Sequence, residues 1–439
     1  MRGQGPINQL KDFLLTLHER SLYWQLAIFG GHLKQMRKTL VVAAMLVLAS
    51  VGVTEARITI QWWQFWTDPH VKPAIEAIVS DFENANPDID VKLTDLTWAN
   101  GHEKIVIAFS SHAGPDVVEL GSDWIAQLAD AGQLADISSH IAEDSANYQG
   151  WGMATYKGKV YAKPWILGTR VLFANRDLLN QCDYDSNFVP YNWEIFKFAA
   201  YRVNSLDWDT YGWGSNTAEK HRLYKKFLPF FWSAGAQIFT DDGKYCVISS
   251  TKAIEALKFY KLLHDTCSFV GNQRAIEDAF LDGAIGFIIS GDWLLKRIAL
   301  EGRTINLVTT NIPGPKFPGK SFLGGEFMAV NAASENKKAA LKLIDFITSP
   351  ENQVRFCKAN HSANPSSLKA QEDPYFSDNE HLQAFIRQIR SSVHPPVDPD
   401  WVYIEDIIEE AIEDALFGRG LPATALREAQ IKITQLKKK

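Results

Sequence analysis

The sequence predicts an α/β fold, because short apolar strands alternate with helices along most of the 439-residue chain. Composition agrees with a packed fold: apolar residues make up 46% and charged residues 22% of the chain, which is ordinary globular usage. The length, less a short N-terminal leader, is enough for two domains of ~100–200 residues each.

A candidate leader sequence begins at Met36 rather than at the first residue of the chain. Met36-Arg37-Lys38 is basic, residues 40–53 form an apolar run, and Thr54-Glu55-Ala56 ends it. We predict a secretory signal peptide over residues 36–56, since the run is shorter than the ~20 residues that span a bilayer. No cysteine follows it, so we predict an exported protein without a lipid anchor. An uncleaved membrane anchor is the alternative for this segment. We interpret residues 1–35 as a non-native upstream extension, with a native amphipathic N-terminal extension as the alternative.

Five predicted elements follow the leader. Arg57 to Phe65 is predicted to be the first strand, and Ile89 to Leu93 the second. The helix between them ends at Asn86-Pro87 and has one apolar face, formed by Val71, Ile75, Ile78, Val79 and Phe82. Asp116 to Leu120 is a predicted buried strand, and a helix starts after it at Gly121 to Trp124. Open α/β sheets bind ligands at such carboxyl ends of strands.

The second half of the chain continues the alternation. Asp241-Asp242-Gly243 indicates a hairpin turn, and Ala253 to Leu263 a helix. Lys320 to Val330 is a predicted strand that contains Gly324-Gly325. Paired glycines in a strand allow a ligand or another chain segment to approach the backbone closely. A helix follows with Ala340, Leu343, Ile344 and Ile347 on one face, and Ser349-Pro350 caps the next helix.

Six segments in order resemble the family 1 extracellular solute-binding proteins of bacterial ABC importers, especially the carbohydrate binders. They are Phe82 to Pro87, Gly114 to Val118, Pro164 to Leu179, Ile289 to Trp293, Lys320 to Val330 and Trp401 to Leu416. Each segment is weak evidence alone, and their common order carries the resemblance, which covers nearly all of Ile58 to Leu436.

The resemblance implies a two-lobe periplasmic-binding-protein fold, similar to type II, whose chain crosses the hinge three times. Lobe 1 would be residues 57–163 and 329–364, and lobe 2 residues 164–328 and 365–439. It also implies a periplasmic monomer that is not an enzyme, carries no cofactor or metal, and delivers its ligand to the permease subunits of an inner-membrane ABC transporter.

Tryptophan usage points independently to a sugar ligand. The chain has 14 tryptophans, and many lie at predicted strand ends, loops or helix starts. Sugar C–H faces pack on flat aromatic rings, while sugar hydroxyls need carboxylate, amide or guanidinium partners. The predicted ligand-binding residues are Trp63, Trp66, Asp68, Trp98, Asp123, Trp124, Trp165, Arg170, Trp232, Trp293, Gly324, Gly325, Glu326 and Trp401. Each tryptophan could instead fill a core, Asp123 could interact with a helix dipole, and Arg170 could be a surface ion-pair partner.

Several other site types are disfavoured by the sequence. A formal net charge of −6 gives no basic footprint for nucleic acid. Four widely spaced cysteines lack metal-ligand spacing, and we assign no disulfide. Gly314 to Ser321 satisfies the phosphate-loop pattern, but its two prolines remove backbone donors and a strand follows it. Asp207 to Gly212 is only faintly similar to a calcium loop, and a turn is predicted there.

Two rival functions remain open at this stage. A secreted carbohydrate-active hydrolase could use paired carboxylates such as Asp68 and Glu326 across a cleft. An adhesive or structural envelope protein could present its tryptophans to a partner. The sequence does not identify the sugar, its chain length, or whether a sugar acid or phosphorylated polyol is preferred.

Overall fold

The structure, a computed structural model, describes residues 57–438 except residues 218, 220 and 363. The predicted upstream extension and signal peptide therefore lie outside the described residues. Within the described part of the chain, no helix combines the length and apolar character that crossing a membrane requires.

Strands and helices alternate as predicted. The strands are β1 Ile58–Gln64, β2 Ile89–Asp95, β3 Val117–Gly121, β4 Thr155–Tyr156, β5 Lys159–Val160, β6 Ala162–Thr169, β7 Val171–Asn175, β8 Tyr211–Asn216, β9 Ser268–Gly271, β10 Ile285–Ser290, β11 Leu307–Thr310, β12 Ser321–Val330 and β13 Ser392–Val393. The helices are α1 Lys72–Ala85, α2 Gly101–Ser110, α3 Ile125–Asp130, α4 Trp151–Ala154, α5 Arg176–Gln181, α6 Trp193–Asn204, α7 Leu223–Ser233, α8 Thr251–Cys267, α9 Gln273–Leu281, α10 Trp293–Glu301, α11 Lys337–Ile347, α12 Pro350–Asn360, α13 Pro374–Ser377, α14 Glu380–Ile389, α15 Trp401–Leu416 and α16 Pro422–Leu436.

Two sheets organise these elements. The first has the order β13-β12-β3-β1-β2, and β6 also pairs with β12. In it β1 runs parallel to β2 and β3, while β12 is antiparallel to β3 and β6. The second sheet has the order β11-β7-β10-β8-β9, with β8 parallel to β9 and β10, and β7 antiparallel to β10 and β11.

The chain passes three times between the two sheets. The first passage joins β6 to β7 through Arg170, and the second joins β11 to β12 through residues 311–320. The third runs from α12, which contacts α1 beside the first sheet, to α15, which packs on α7 and α8 beside the second. This is the predicted two-lobe architecture with three crossings. The predicted lobe boundaries stay a prediction.

The predicted elements are confirmed closely, and the hydrophobic pattern explains why. The apolar face of α1 is buried through Ile75, Ile78, Val79 and Phe82. Ser349 caps α12, accepting from the backbone N–H of Asn352 at 3.4 Å. The segment after the phosphate-loop pattern is strand β12 rather than a helix. The absence of a helix at Ser321 removes the helix N-terminus that phosphate binding by that pattern would need.

The two glycines of β12, Gly324 and Gly325, lie against other parts of the protein rather than against open space. A Cβ on Gly325 would lie 2.4 Å from the carbonyl oxygen of Ile166 in β6, and one on Gly324 would lie 2.9 Å from the ring of Phe322. Of the two possibilities that the sequence left open, close approach of another segment therefore accounts for Gly325.

Candidate functional site

The candidate site lies where the carboxyl ends of parallel strands from both sheets come together. Asp68 follows β1 and Asp123 follows β3, whereas Trp293 follows β10. Ion pairs join the two sides: Lys296 in α10 contacts Asp68 at 2.9 Å, and Lys225 in α7 contacts Asp123 at 3.6 Å. We call the region between these residues the cleft, with a first-sheet wall and a second-sheet wall. Its position agrees with the rule for ligand sites in open α/β sheets.

The first-sheet wall begins with the turn after β1, which two buried polar side chains hold. Gln64 accepts a hydrogen bond from the backbone N–H of Trp66 at 2.5 Å and donates to Asp95 at 2.6 Å. Glu119 of β3 accepts from the backbone N–H of Phe65 at 3.0 Å. Both side chains are fully buried. The backbone that carries Phe65 and Trp66 is therefore fixed from beneath.

Aromatic rings continue this wall. Phe65 and Trp98 stack with ring centroids 4.2 Å apart, and Trp98 lies 5.6 Å from Trp124. The imidazole of His102 stacks on Trp124 at 4.9 Å and also contacts Gln127 through a 2.8 Å hydrogen bond. Trp98 remains 47% exposed. The structure thus brings together two predicted tryptophans in an open aromatic cluster of the kind that packs on sugar rings.

The second-sheet wall is built around Trp293. Its indole Nε1 donates to Glu277 at 2.6 Å, and the guanidinium carbon of Arg170 lies 4.7 Å from its ring centroid. A Cβ at position 291 would approach the same ring to 1.9 Å, so only glycine fits there. Two predicted site residues, Trp293 and Arg170, therefore form one cation–π pair at the cleft.

Arg170 also lies over Phe322, with its guanidinium carbon 5.5 Å from the ring centroid, and Lys225 lies 5.3 Å from the same centroid. Among the described residues, Nε of Arg170 has no hydrogen-bond partner. Desolvation lowers the pKa of Arg170 to about 10, against the opposing effect of Asp292. The guanidinium stays charged at neutral pH and retains a donor for a ligand oxygen.

Glu326 lies in β12, at an irregularity in the β12–β6 pairing between Glu326 and Phe327. Such bulges redirect side chains. Desolvation, reinforced by the charges of Asp292 and Asp123, raises the pKa of Glu326 to about 8, while Arg170 acts in the opposite direction. At neutral pH the carboxyl group is therefore mostly protonated and can donate a hydrogen bond as well as accept one.

Other predicted ligand residues are buried in packing. Trp165 is fully buried and meets the half-buried Trp66 edge to face at 6.0 Å. Trp401 is 1% exposed and packs against Tyr224 at 6.0 Å, and Trp232 packs against Phe322 at 6.3 Å. Trp63 is half-buried in β1. In this conformation these rings support the walls rather than line open space, and their contact with a ligand stays a prediction.

A small cavity of about 10 Å³ adjoins Asp123, roughly the space for one water. It is lined by Ser122, Asp123, Ala126, Met153, Pro395, Pro396, Val397 and Asp398. The described residues contain no group of three or more His, Cys, Asp or Glu side chains arranged to hold a metal ion. The four cysteines lie in the described part, and each is buried and free.

Sequence reasoning missed several cleft residues. Lys225 and Phe322 contact predicted site residues, and the charge of Asp292 acts on both Glu326 and Arg170. Lys226 is 3% exposed, donates to the carbonyl of Ile289 at 2.7 Å, and has its pKa lowered to about 7 by desolvation. One signal was present: two adjacent lysines inside an otherwise apolar helix segment indicate a functional or paired position.

The family assignment follows from comparison with known proteins. The model of the bacterial extracellular solute-binding proteins matches residues 68–354. The chain belongs to this family. It is 25% identical over 388 residues to the galactooligosaccharide-binding protein of Bacillus subtilis, covering 83% of this chain and 86% of that one. It is 23% identical to the maltodextrin-binding protein MdxE of Bacillus subtilis, covering 82% and 86%.

Solved structures confirm the fold. The sugar-binding protein MalE from Xanthomonas citri superposes with a TM-score of 0.77 at 23% identity, covering 86% of this chain and 96% of that chain. The predicted family and two-lobe fold are thereby confirmed.

Proposed function

We propose that this solute-binding protein captures a carbohydrate in the cleft and delivers it to the permease of an ABC importer, acting as a monomer in the periplasm. The observation that carries the proposal is the composition of the cleft: Trp98 and Trp124 on the first wall face the region that Trp293 and Arg170 border on the second. Flat rings beside hydrogen-bonding groups suit a neutral polyhydroxylated ligand.

The relatives support the same class of ligand. Two are named for galactooligosaccharide and maltodextrin binding, and the structural neighbour is a sugar-binding protein. Charge balance at the cleft also favours an uncharged ligand, because Asp68 and Asp123 already have lysine partners and Glu326 is mostly protonated at neutral pH. Neither of these two lysines is therefore left over for an anionic ligand, and Arg170 is the cleft cation that remains for one.

Ligand-driven closure is the mechanism that this arrangement supports. A sugar that contacts both walls binds the closed state more tightly than the open state and so shifts the population toward closure. The permease then recognises the closed form. The energy for the shift can come only from contacts that the ligand makes with both walls at once.

The hydrolase alternative rested on Asp68 and Glu326 acting as a pair. In the structure Asp68 pairs with Lys296, which lowers the pKa of Asp68 through a side-chain hydrogen bond. The carboxylates that raise the pKa of Glu326 are Asp292 and Asp123. This arrangement gives the proposed acid–base pair no support, and membership of a solute-binding family favours capture without chemistry.

The test is a thermal-shift screen of the purified protein against mono- and oligosaccharides, sugar acids and glycerol phosphates, with mass spectrometry of each hit. A ligand that binds only the native state raises the melting temperature by mass action. We expect a shift with a neutral sugar that is recovered intact. Cleaved sugar would favour the hydrolase, and a shift only with glycerol phosphates would remove the carbohydrate assignment.

One substitution tests the site itself. We expect Trp293→Ala to weaken sugar binding about 100-fold, because it removes the ring and the platform for Arg170. Trp208→Ala is the matched control, since Trp208 is 88% exposed and precedes β8, whose parallel neighbour β10 reaches the cleft at the opposite, carboxyl end. Calorimetry that gives equal affinity for the two variants would remove Trp293 from the site.

A further inference from the structure

Glu277 is a buried carboxylate behind the second-sheet wall, and it gathers an unusual number of donors. Its Oε1 accepts from Trp293 Nε1 at 2.6 Å, from Ser290 Oγ at 2.8 Å and from the side-chain amide of Gln273. Its Oε2 accepts from Arg297 at 2.9 Å. The residue is 2% exposed. Burying a carboxylate is costly, and these donors offset that cost only in this arrangement.

The geometry points to Glu277 as the positioning residue of Trp293, an inference that rests on the proposed function of the cleft. An indole has one donor, so the acceptor of that donor fixes the rotation of the ring about its side-chain bonds. Here the acceptor is a charged group on a different helix, α9, which packs against β10 and β8. The ring is therefore tied to the sheet beneath it, not only to its own helix.

Two further contacts make the orientation of the ring consequential. Arg170 lies 4.7 Å from the ring centroid, and the backbone of Gly291 lies so near that an added Cβ would be 1.9 Å from the ring. A ring that rotated away from Glu277 would take from the guanidinium the nearer of its two aromatic partners and leave it with the ring of Phe322 at 5.5 Å. Glu277 thus sets the position of both Trp293 and Arg170 without facing the cleft, which is how a supporting shell preorganises a binding site.

The network also explains why the carboxylate itself stays in place. Arg297 contacts Glu277, Asp278 and Glu301, so it would remain paired if one of these acids were removed. Glu301 shares Arg297 with Glu277 and is 34% exposed, and the hydrogen bond of the Trp293 indole goes to Glu277. This gives a matched pair of acids that differ in their contact with the tryptophan.

The experiment compares Glu277→Gln with Glu301→Gln in the purified protein. Maltotriose affinity is measured by calorimetry, and the indole N–H resonance of Trp293 by ¹⁵N NMR, assigned with Trp293→Phe. We expect Glu277→Gln to weaken maltotriose binding about tenfold, as for loss of a charge-assisted hydrogen bond, and to move the indole resonance upfield. Glu301→Gln should leave both measurements unchanged.

An unchanged indole resonance in Glu277→Gln would overturn the inference, as would an affinity loss that Glu301→Gln reproduces. If Glu277→Gln does not fold, Trp293→Phe decides, because it removes the indole donor and keeps one aromatic ring beside Arg170; wild-type affinity in that variant would overturn the inference. If the wild-type protein binds no maltotriose, that result counts against the proposed ligand, while the NMR comparison, which needs no ligand, still decides the role of Glu277.

Discussion

The two walls of the cleft carry similar residues but hold them by different forces. On the first-sheet wall, Trp98 stacks on Phe65 at 4.2 Å and remains 47% exposed. On the second-sheet wall, Trp293 is tied by a 2.6 Å hydrogen bond to the buried Glu277 and carries Arg170 over its ring. Stacking is tolerant of rotation, whereas a charge-assisted hydrogen bond fixes direction. The first wall is suited to adapt to a ligand, and the second to orient it.

The walls also differ in charge. The ion-paired carboxylates Asp68 and Asp123 lie on the first wall, and behind them Glu119 is fully buried, with its pKa raised well above the ordinary value by desolvation and by Glu326. Basic groups dominate the second, through Arg170, Lys226 and the lysines that reach Asp68 and Asp123. The two lysine–aspartate pairs therefore join oppositely charged groups of the two walls without any ligand.

The largest effect should come from a residue of the second wall that supports it from behind. Trp401 is 1% exposed and packs on Tyr224. We expect Trp401→Ala to lower the free energy of unfolding by about 3–5 kcal/mol, as for loss of a large core side chain. Chemical denaturation measures this loss. A variant with normal stability but lost sugar affinity would place Trp401 among the ligand contacts and break the distinction between wall and support.

The sequence predicted the residues of the two walls better than the residues that pair with them or cover them. The strand β1 was found from its apolar pattern and Asp123 because it follows a predicted strand, whereas the helix that begins at Trp401 and the position of Trp293 came from the family resemblance. The pairing of Asp123 with Lys225 was missed, since it depends on how elements far apart in the chain pack together. The burial of Trp401 was missed for the same reason: periodicity places a residue on a face but does not say what covers it.

The acidic character of the first wall can be tested by pH. The pKa of Glu326 is raised to about 8 from an ordinary 4.5, so between these values the folded protein holds a proton that the unfolded chain releases. Stability contributed by this group is thus present below about pH 4.5 and falls as the pH rises toward 8. We expect Glu326→Gln to remove this decline, which is on the order of 1–3 kcal/mol.

Denaturation at pH 5 and pH 8 for both proteins provides the measurement. The free energies of unfolding of the wild type and Glu326→Gln should differ less at pH 5 than at pH 8, because Glu326 is protonated at pH 5 and glutamine is then a close mimic. A wild-type protein whose decline persists unchanged in Glu326→Gln would assign the effect to another group, with the fully buried Glu119 as the first candidate.

A smaller effect is expected on the adaptable side of the cleft. Because Trp98 is held by stacking and is half in solvent, we expect Trp98→Ala to weaken sugar binding only about fivefold, near 1 kcal/mol, without changing the melting temperature. Calorimetry of Trp98→Ala and Trp293→Ala with the same sugar compares the two losses of affinity. A greater loss in Trp98→Ala than in Trp293→Ala would reverse the roles that we assign to the two walls.

The smallest effect concerns the charges that join the walls. Lys296 contacts Asp68 at 2.9 Å and the side chain of Asn360 at 3.0 Å. Since the pair is partly exposed, Lys296→Met should cost less than about 1 kcal/mol of stability, but it should shift the unliganded protein toward the open form. Small-angle scattering should show a larger radius of gyration than for the wild type. Lys432→Met removes a more exposed ion pair, to Glu410, which joins α15 and α16 away from the contact between the walls, and it should leave the radius of gyration unchanged. High salt should raise the radius of gyration of the wild-type protein toward the Lys296→Met value, because screening weakens exposed pairs. Identical radii for Lys296→Met and for the wild type at low and at high salt would show that the ion pairs follow closure instead of favouring it.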